Sequence, residues 1–269
     1  MSFTITGKTA IVTGAANGVG LAIGRQFADQ GANVMFADMD EDGLHEQIGD
    51  KVGDDTNMRM FAGDLREKLT IANLLSATID AFERVDILVN ASRQVIRSDA
   101  LNPDDDAVTT LLNQNLMTSL RLTQLVARRM IKQAEDDGDE DGQVGSIVNL
   151  SSIASRRTQD GMLAYSVSCA ALDQMTRSMA VALARHRIRV NAVAFGSVMS
   201  ESLKGVLKDH GDYRDEIKSH TPLSRIASPA EVADAVQYLA SEGAGFVTGQ
   251  IITVDGGRTL LDPVVAPAH

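Results

Sequence analysis

The tightest constraint on this chain is a glycine-rich turn caught between an apolar strand and a helix. Ala10-Ile11-Val12 has the composition of a buried strand. Thr13-Gly14-Ala15-Ala16-Asn17-Gly18-Val19-Gly20 follows it directly and runs into a segment of helical period from about Val19 to Gln30. Glycines at this point permit a tight turn and a close backbone approach, while the helix start offers free N–H donors and the positive end of its dipole. Such a turn suits an anionic ligand, and its place after the first strand of a βαβ unit suits a dinucleotide pyrophosphate.

The same rhythm continues through the chain. Strands are expected at Asn33 to Ala37, Met58 to Phe61, Ile87 to Val89, Ser146 to Leu150, Ile188 to Val193 and Gln250 to Val254. Helices are expected at Lys68 to Phe82, Pro103 to about Gln133, about Gly161 to Ala184 and Pro229 to Ser241. Asn102 is the expected cap of the second of these helices, with Pro103 at its first position and Asp104, Asp105 and Asp106 favoured by its dipole. Seven strands alternating with helices predict an α/β fold of the Rossmann type, with a doubly wound seven-stranded parallel sheet covered on both faces. No repeat or Pro/Gly/Ser-rich linker divides residues 1–269, so one domain is expected.

Composition narrows the partners. The chain is 44% hydrophobic, 23% charged and carries a formal net charge of -11. That balance fits a globular core and opposes a polyanionic partner, so nucleic acid is not expected. Its single cysteine, Cys169, excludes an internal disulfide and a cysteine metal cluster. Met1 to Lys8 has no targeting pattern and no run approaches 18 apolar residues, which reads as a cytoplasmic protein without a membrane span. The acidic segment at about 134–144 places Asp137, Asp139 and Asp141 at calcium-ligand spacing. The twelfth position is Val148 where a bidentate Glu is needed, so a solvated surface insertion is the better reading. The five histidines have no ligand spacing, and no metal is expected.

The second strand ends at Asp38, 18 residues after Gly20, where a carboxylate can accept hydrogen bonds from the adenosine ribose hydroxyls. The same charge repels a 2′-phosphate, and neither position 17 nor residues 37–42 carry an Arg or Lys to neutralise one. NAD is therefore expected over NADP.

In spacing, Thr13 to Gly20 resembles the short-chain dehydrogenase/reductase family. Further matches follow at Gly63-Asp64-Leu65, Val89-Asn90-Ala91, Asn115-Leu116, Ser151-Ser152, Tyr165, Ser228 to Ala233, and Val247-Thr248-Gly249-Gln250 onward through Gly257, ordered along nearly the whole chain. The resemblance implies hydride transfer between a nicotinamide ring and a secondary alcohol or ketone. Tyr165 would exchange the hydroxyl proton, Ser152 would polarise the substrate oxygen and Asn115 would hold a water leading to solvent. Gly14, Asn17, Gly18, Val19, Gly20 and Asp38 would hold the adenosine and pyrophosphate. Asp64 and Leu65 would flank the adenine, Asn90 and Ala91 would line the adenosine side, and Val198 would meet the nicotinamide amide. Residues 196–224 would close the substrate pocket, and a homo-oligomer, a tetramer or a dimer, is implied.

The family places a lysine four residues after the tyrosine, where it binds the nicotinamide ribose and lowers the tyrosine pKa. Here that position is Cys169, read as a small buried residue rather than a reactive thiol or an engineered change. Ser92 and Phe195 stand where the family has glycine and proline. Arg93, Arg156 and Arg157 are nearby in sequence and are read as ordinary surface arginines, the alternative being that one guanidinium reaches the site in place of the lysine. Two functions stay open: an NAD-dependent dehydrogenase, and a silent NAD-binding sensor or partner subunit.

Overall fold

The computed structural model describes residues 3–262, except 54, 139 and 140. Asp139, one of the acidic positions weighed for calcium, thus lies outside the described residues. Seven strands form the sheet: β1 Thr9–Thr13, β2 Asn33–Asp38, β3 Met58–Ala62, β4 Ile87–Asn90, β5 Gly145–Ser152, β6 Ile188–Phe195 and β7 Ile251–Val254. Their order is β3-β2-β1-β4-β5-β6-β7 and every pairing is parallel. The expected doubly wound sheet is therefore present. The order reverses between β1 and β4, and the region beyond the strands' carboxyl ends at such a reversal is the usual place for a ligand crevice in this kind of sheet.

The helices are α1 Gly18–Asp29, α2 Glu41–Ile48, α3 Lys68–Phe82, α4 Ala107–Leu111, α5 Thr118–Asp136, α6 Leu163–Ala184, α7 Glu201–Asp209, α8 Tyr213–Ser219 and α9 Pro229–Ala240. They divide the core in two. On one face Ile23 and Phe27 of α1 and Val232 and Val236 of α9 pack on Val12, Val34 and Val148. On the other, Ile71 and Leu74 of α3 and Leu122, Val126 and Met130 of α5 pack on Ile11, Leu88 and Ile147. Strands buried on both sides explain the near-continuous apolar runs in β1, β2 and β6. Among the described residues no helix is long and apolar enough to cross a membrane.

The helix expected from Pro103 differs in two ways. It starts at Ala107, not Pro103, and Asn102 does not cap it. Instead Asn102 Oδ1 accepts from the Asp104 N–H at 3.0 Å, Asp105 Oδ1 from the Ala107 N–H at 2.8 Å and Asp105 Oδ2 from the Asp99 N–H at 2.7 Å. Short acidic and amide side chains that bond nearby backbone hold it in turns and compete with helix formation. The helix is also not uniform: a wide π turn, Leu112–Met117, separates α4 from α5. Asn115 sits in that turn.

Candidate active site

The glycine-rich turn is built by contact, not merely by flexibility. Gly14 has φ +64°, and a Cβ there would lie 2.8 Å from the Ala91 carbonyl oxygen; at Gly20 it would lie 2.1 Å from that of Gly14. Gly18, φ +57°, is different: the nearest atom to a Cβ would be Ser200 Cβ at 3.6 Å, so space is left above it. Thr13 fastens the turn to the next crossover, its Oγ1 accepting from the Ala91 and Ser92 N–H groups at 3.0 and 3.1 Å.

Helix α1 begins beneath this turn without a side-chain cap at Asn17 and without an acidic residue in its first turn. Asn17 is exposed. Four N–H groups at a helix start need partners, and the Asn17 side chain caps none of them here. Asp38 closes the other end of the crevice. Its Oδ2 accepts from the Ala16 N–H at 3.0 Å and its Oδ1 from the Asp40 N–H at 3.1 Å, which leaves each oxygen a further lone pair towards solvent. Free helix donors, a glycine cradle and a fixed carboxylate fit a dinucleotide: the donors suit its pyrophosphate and Asp38 a ribose diol.

Other expected cofactor residues take different positions. Asp64 is paired with Arg66 at 2.5 Å, and that guanidinium holds its carboxyl below the usual range. Leu65 is buried in the core with Ile71 and Leu74. Asn90 is buried too, its Nδ2 donating to Asn149 Oδ1 at 2.8 Å and to Thr123 Oγ1 at 3.1 Å. Asn90 thus ties β4 to β5 and α5 while lining the cavity that Tyr165 and Cys169 share, and Ala91 beside it is partly exposed. Val198 is buried and joined in a parallel bridge to Ala227.

Ser152 and Tyr165 come together at the carboxyl end of β5. Both are buried, and the Ser152 hydroxyl is among the groups bearing on the phenol. Burial pushes the Tyr165 phenol above its ordinary value. The Arg93 guanidinium opposes this, Cys169 reinforces it, and the Ser152 hydroxyl helps the phenolate. Cys169, one turn along α6, is 4% exposed, and burial pushes its thiol up as well. It is a small buried residue, as expected.

Asn115 brings three segments together. Its Oδ1 accepts from the Gln94 N–H at 2.8 Å, and its Nδ2 donates to the Gln94 carbonyl at 3.0 Å and to Ser168 Oγ at 3.1 Å. Ser168 Oγ in turn donates to the Tyr165 carbonyl at 2.8 Å. With both amide hydrogens and one acceptor engaged, Asn115 clamps the chain after β4 against α6.

Arg93, read from the sequence as a surface arginine with a place in the site as the alternative, takes the second position. It is half-buried, its Cζ lies 4.1 Å over the Phe195 ring, and its Nη1 donates to the Ser151 carbonyl at 3.3 Å. With Ser92, Asn115, Tyr165, Ser168 and Cys169 it lines one small cavity. Arg156 and Arg157, by contrast, are exposed as expected. Nothing in the spacing between Arg93 and Tyr165 signals their meeting, which depends on the β4 to β5 crossover. Residues 196–224 form α7 and α8, two helices with mostly exposed side chains. Ser200, the N-cap of α7, reaches back over Gly18.

A family model described as enoyl-(acyl carrier protein) reductase matches residues 14–259. The 3-oxoacyl-[acyl-carrier-protein] reductase FabG of Thermotoga maritima is 34% identical over 264 residues, covering 95% of this chain and 99% of that protein. The chain belongs to the short-chain dehydrogenase/reductase family. A second relative, the short chain dehydrogenase/reductase astE of Aspergillus oryzae, is 32% identical over 262 residues, covering 96% of this chain and 97% of that protein. Among solved structures, a 7α-hydroxysteroid dehydrogenase complexed with NADH and 7-oxo glycochenodeoxycholic acid superposes with a TM-score of 0.86 at 30% identity, covering 95% of this chain and 96% of that chain. The fold and the oxidoreductase class of this family member rest on these likenesses together with the sheet order.

Proposed function

We propose that this reductase uses NAD(H) and moves a hydride between the nicotinamide and the carbinol carbon of a secondary alcohol, or its ketone. The observation that carries the reading is the meeting of Ser152 and Tyr165 at the sheet edge that also bears the glycine cradle and Asp38. When bound, the nicotinamide accepts or supplies the hydride. Tyr165 takes the hydroxyl proton in oxidation and returns it in reduction, while Ser152 donates a hydrogen bond to the substrate oxygen. Asp38 favours NAD by accepting from a ribose diol and opposing a 2′-phosphate, and the NADH bound by the 7α-hydroxysteroid dehydrogenase supports that choice.

The sequence resemblance places a lysine where Cys169 stands, which favours a second reading, a protein that binds NAD without turnover. A dehydrogenase screen on a panel of secondary alcohols, run beside an NADH titration, separates them. The proposal expects NADH to form with NAD⁺ on at least one alcohol and to vanish in Tyr165→Phe. Firm NADH binding with no turnover across the panel would favour the silent reading.

The reductase is further proposed to work as a homo-oligomer, a dimer or tetramer. Leu163, Val167 and Val181 of α6 are exposed apolar side chains, and Phe246 stands fully exposed before β7. Sedimentation tests this; a monomer at micromolar concentration would contradict it.

A further inference from the structure

The three departures at positions 92, 169 and 195 meet around a single side chain. Arg93 follows Ser92, lines the same cavity as Cys169 and Tyr165, and stacks on Phe195. Its backbone is fixed on both sides, by Thr13 Oγ1 at the Ser92 N–H and by the Asn115 amide at both polar groups of Gln94. Its guanidinium is fixed by the Phe195 ring and the Ser151 carbonyl. A cation over an aromatic face, with a carbonyl at its edge, is held here without a carboxylate partner among the described residues.

We propose that Arg93 is the positioning cation of this active site, entering from the β4 end to stabilise the Tyr165 phenolate and to hold the nicotinamide-side ribose, with Phe195 as its platform. The arrangement explains why a small neutral residue suffices on α6: a lysine at Cys169 would bring a second cation into a cavity that Arg93 already occupies. In alcohol oxidation the substrate hydroxyl proton passes to the Tyr165 phenolate and the carbinol hydride to the oxidised nicotinamide, giving a ketone, a neutral phenol and the reduced cofactor. Arg93 takes no proton and forms no bond; it lowers the energy of the phenolate. The charged and titratable groups around the phenol are Arg93 on the β4 segment, Cys169 on α6, and Asp173 one turn beyond, which accepts from Ser151 Oγ at 2.6 Å. Arg93 is the one cation among these.

This inference rests on the hydride-transfer reading, but its test does not need turnover. The chain has three tyrosines and no tryptophan, so phenolate formation is seen cleanly in near-ultraviolet absorbance. Subtracting the titration of Tyr165→Phe from that of the wild type isolates the Tyr165 phenol, read by alkaline pH-jump before the chain unfolds. In Arg93→Met the Tyr165 midpoint is expected to rise by about 1 to 3 units, and NADH, followed by its own fluorescence, to bind several-fold more weakly. Arg93→Lys keeps the charge and should hold the midpoint within about half a unit of the wild type. An unmoved midpoint in Arg93→Met, or tighter NADH binding there, would overturn the proposal, the latter marking Arg93 as an obstruction. A wild type that binds no NADH would instead remove the cofactor reading, while the phenol titration still reports on Arg93.

Discussion

The Asp38 carboxylate is held by the Ala16 backbone N–H at 3.0 Å, so the residue that ends β2 is locked to the turn that starts α1. One carboxylate thereby shapes the turn and presents a fixed negative charge beside it. In Asp38→Asn the amide keeps an acceptor and loses the charge. NADH binding is expected to weaken about tenfold, the scale of a lost hydrogen bond to a charged group, while NADPH binding improves relative to it. Parallel fluorescence titrations with the two cofactors measure this.

Two of the cradle's three glycines, Gly18 and Gly20, should fail differently. Gly20→Ala places a methyl 2.1 Å from the Gly14 carbonyl oxygen, which the turn can relieve only by opening. A loss of about 2–3 kcal/mol of stability is expected. Gly18→Ala makes only an ordinary contact with Ser200 Cβ at 3.6 Å and costs the left-handed backbone penalty, about 1 kcal/mol, yet adds a methyl where the proposed phosphate would bind. Urea denaturation should rank Gly20→Ala below Gly18→Ala, and NADH titration should find both impaired.

Tyr165 sets the pH dependence. Burial favours the neutral phenol, so the proton-donating form persists through neutral pH into the alkaline range. Ketone reduction, which needs that form, should be flat through neutrality. Alcohol oxidation, which needs the phenolate, should climb with pH towards a midpoint above the ordinary tyrosine value of about 10. Profiles of kcat/KM in both directions check the sign. Tyr165→Phe should lower kcat by about 10² to 10⁴ and leave NADH binding intact.

The start of α9 offers a stability test away from the site. Glu231 Oε2 accepts from the Ser228 N–H at 2.8 Å and its carboxylate takes both arms of Arg225 at 2.6 and 2.7 Å. Arg225 foremost, with Ser228, holds its pKa down to about 2. A depressed carboxyl contributes stability that is present above its unfolded value and lost as pH falls through the folded one. Glu231→Gln should therefore cost about 0.5–1 kcal/mol near neutral pH, reduced by solvent exposure, and the gap to wild type should close between the ordinary glutamate range of about 4 and about 2. Thermal denaturation across that window reads it.

The sheet was legible because strands buried on both faces leave unbroken apolar runs, and because the Gly14 to Gly20 turn announces the first crossover. Helices α2, α7 and α8 were not, being short and largely polar on exposed surface. The start of α4 was misplaced because the acidic residues at 99–106 bond their own backbone, which charge patterning alone cannot tell from a helix cap. At the site, the family resemblance singled out Tyr165, Ser152 and the Cys169 position, and the fold brings the three together at the end of β5 and along α6. Arg93 could be named as a candidate cation but not placed, and the Asn115 clamp could not be read, since both depend on a π turn and on a loop crossing from β4, relations that no spacing encodes. Leu65 shows the converse: a residue expected beside the adenine by resemblance whose side chain is buried in the core.

The central claim, a nicotinamide site tuned by Asp38 for the cofactor without a 2′-phosphate, is tested most directly by equilibrium titration of the unmodified protein with NADH and with NADPH at fixed salt. The account predicts saturable NADH binding at least about tenfold tighter than NADPH, the separation expected for one fixed carboxylate against one phosphate at partly screened range. Equal affinities, tighter NADPH binding, or no binding of either would contradict it.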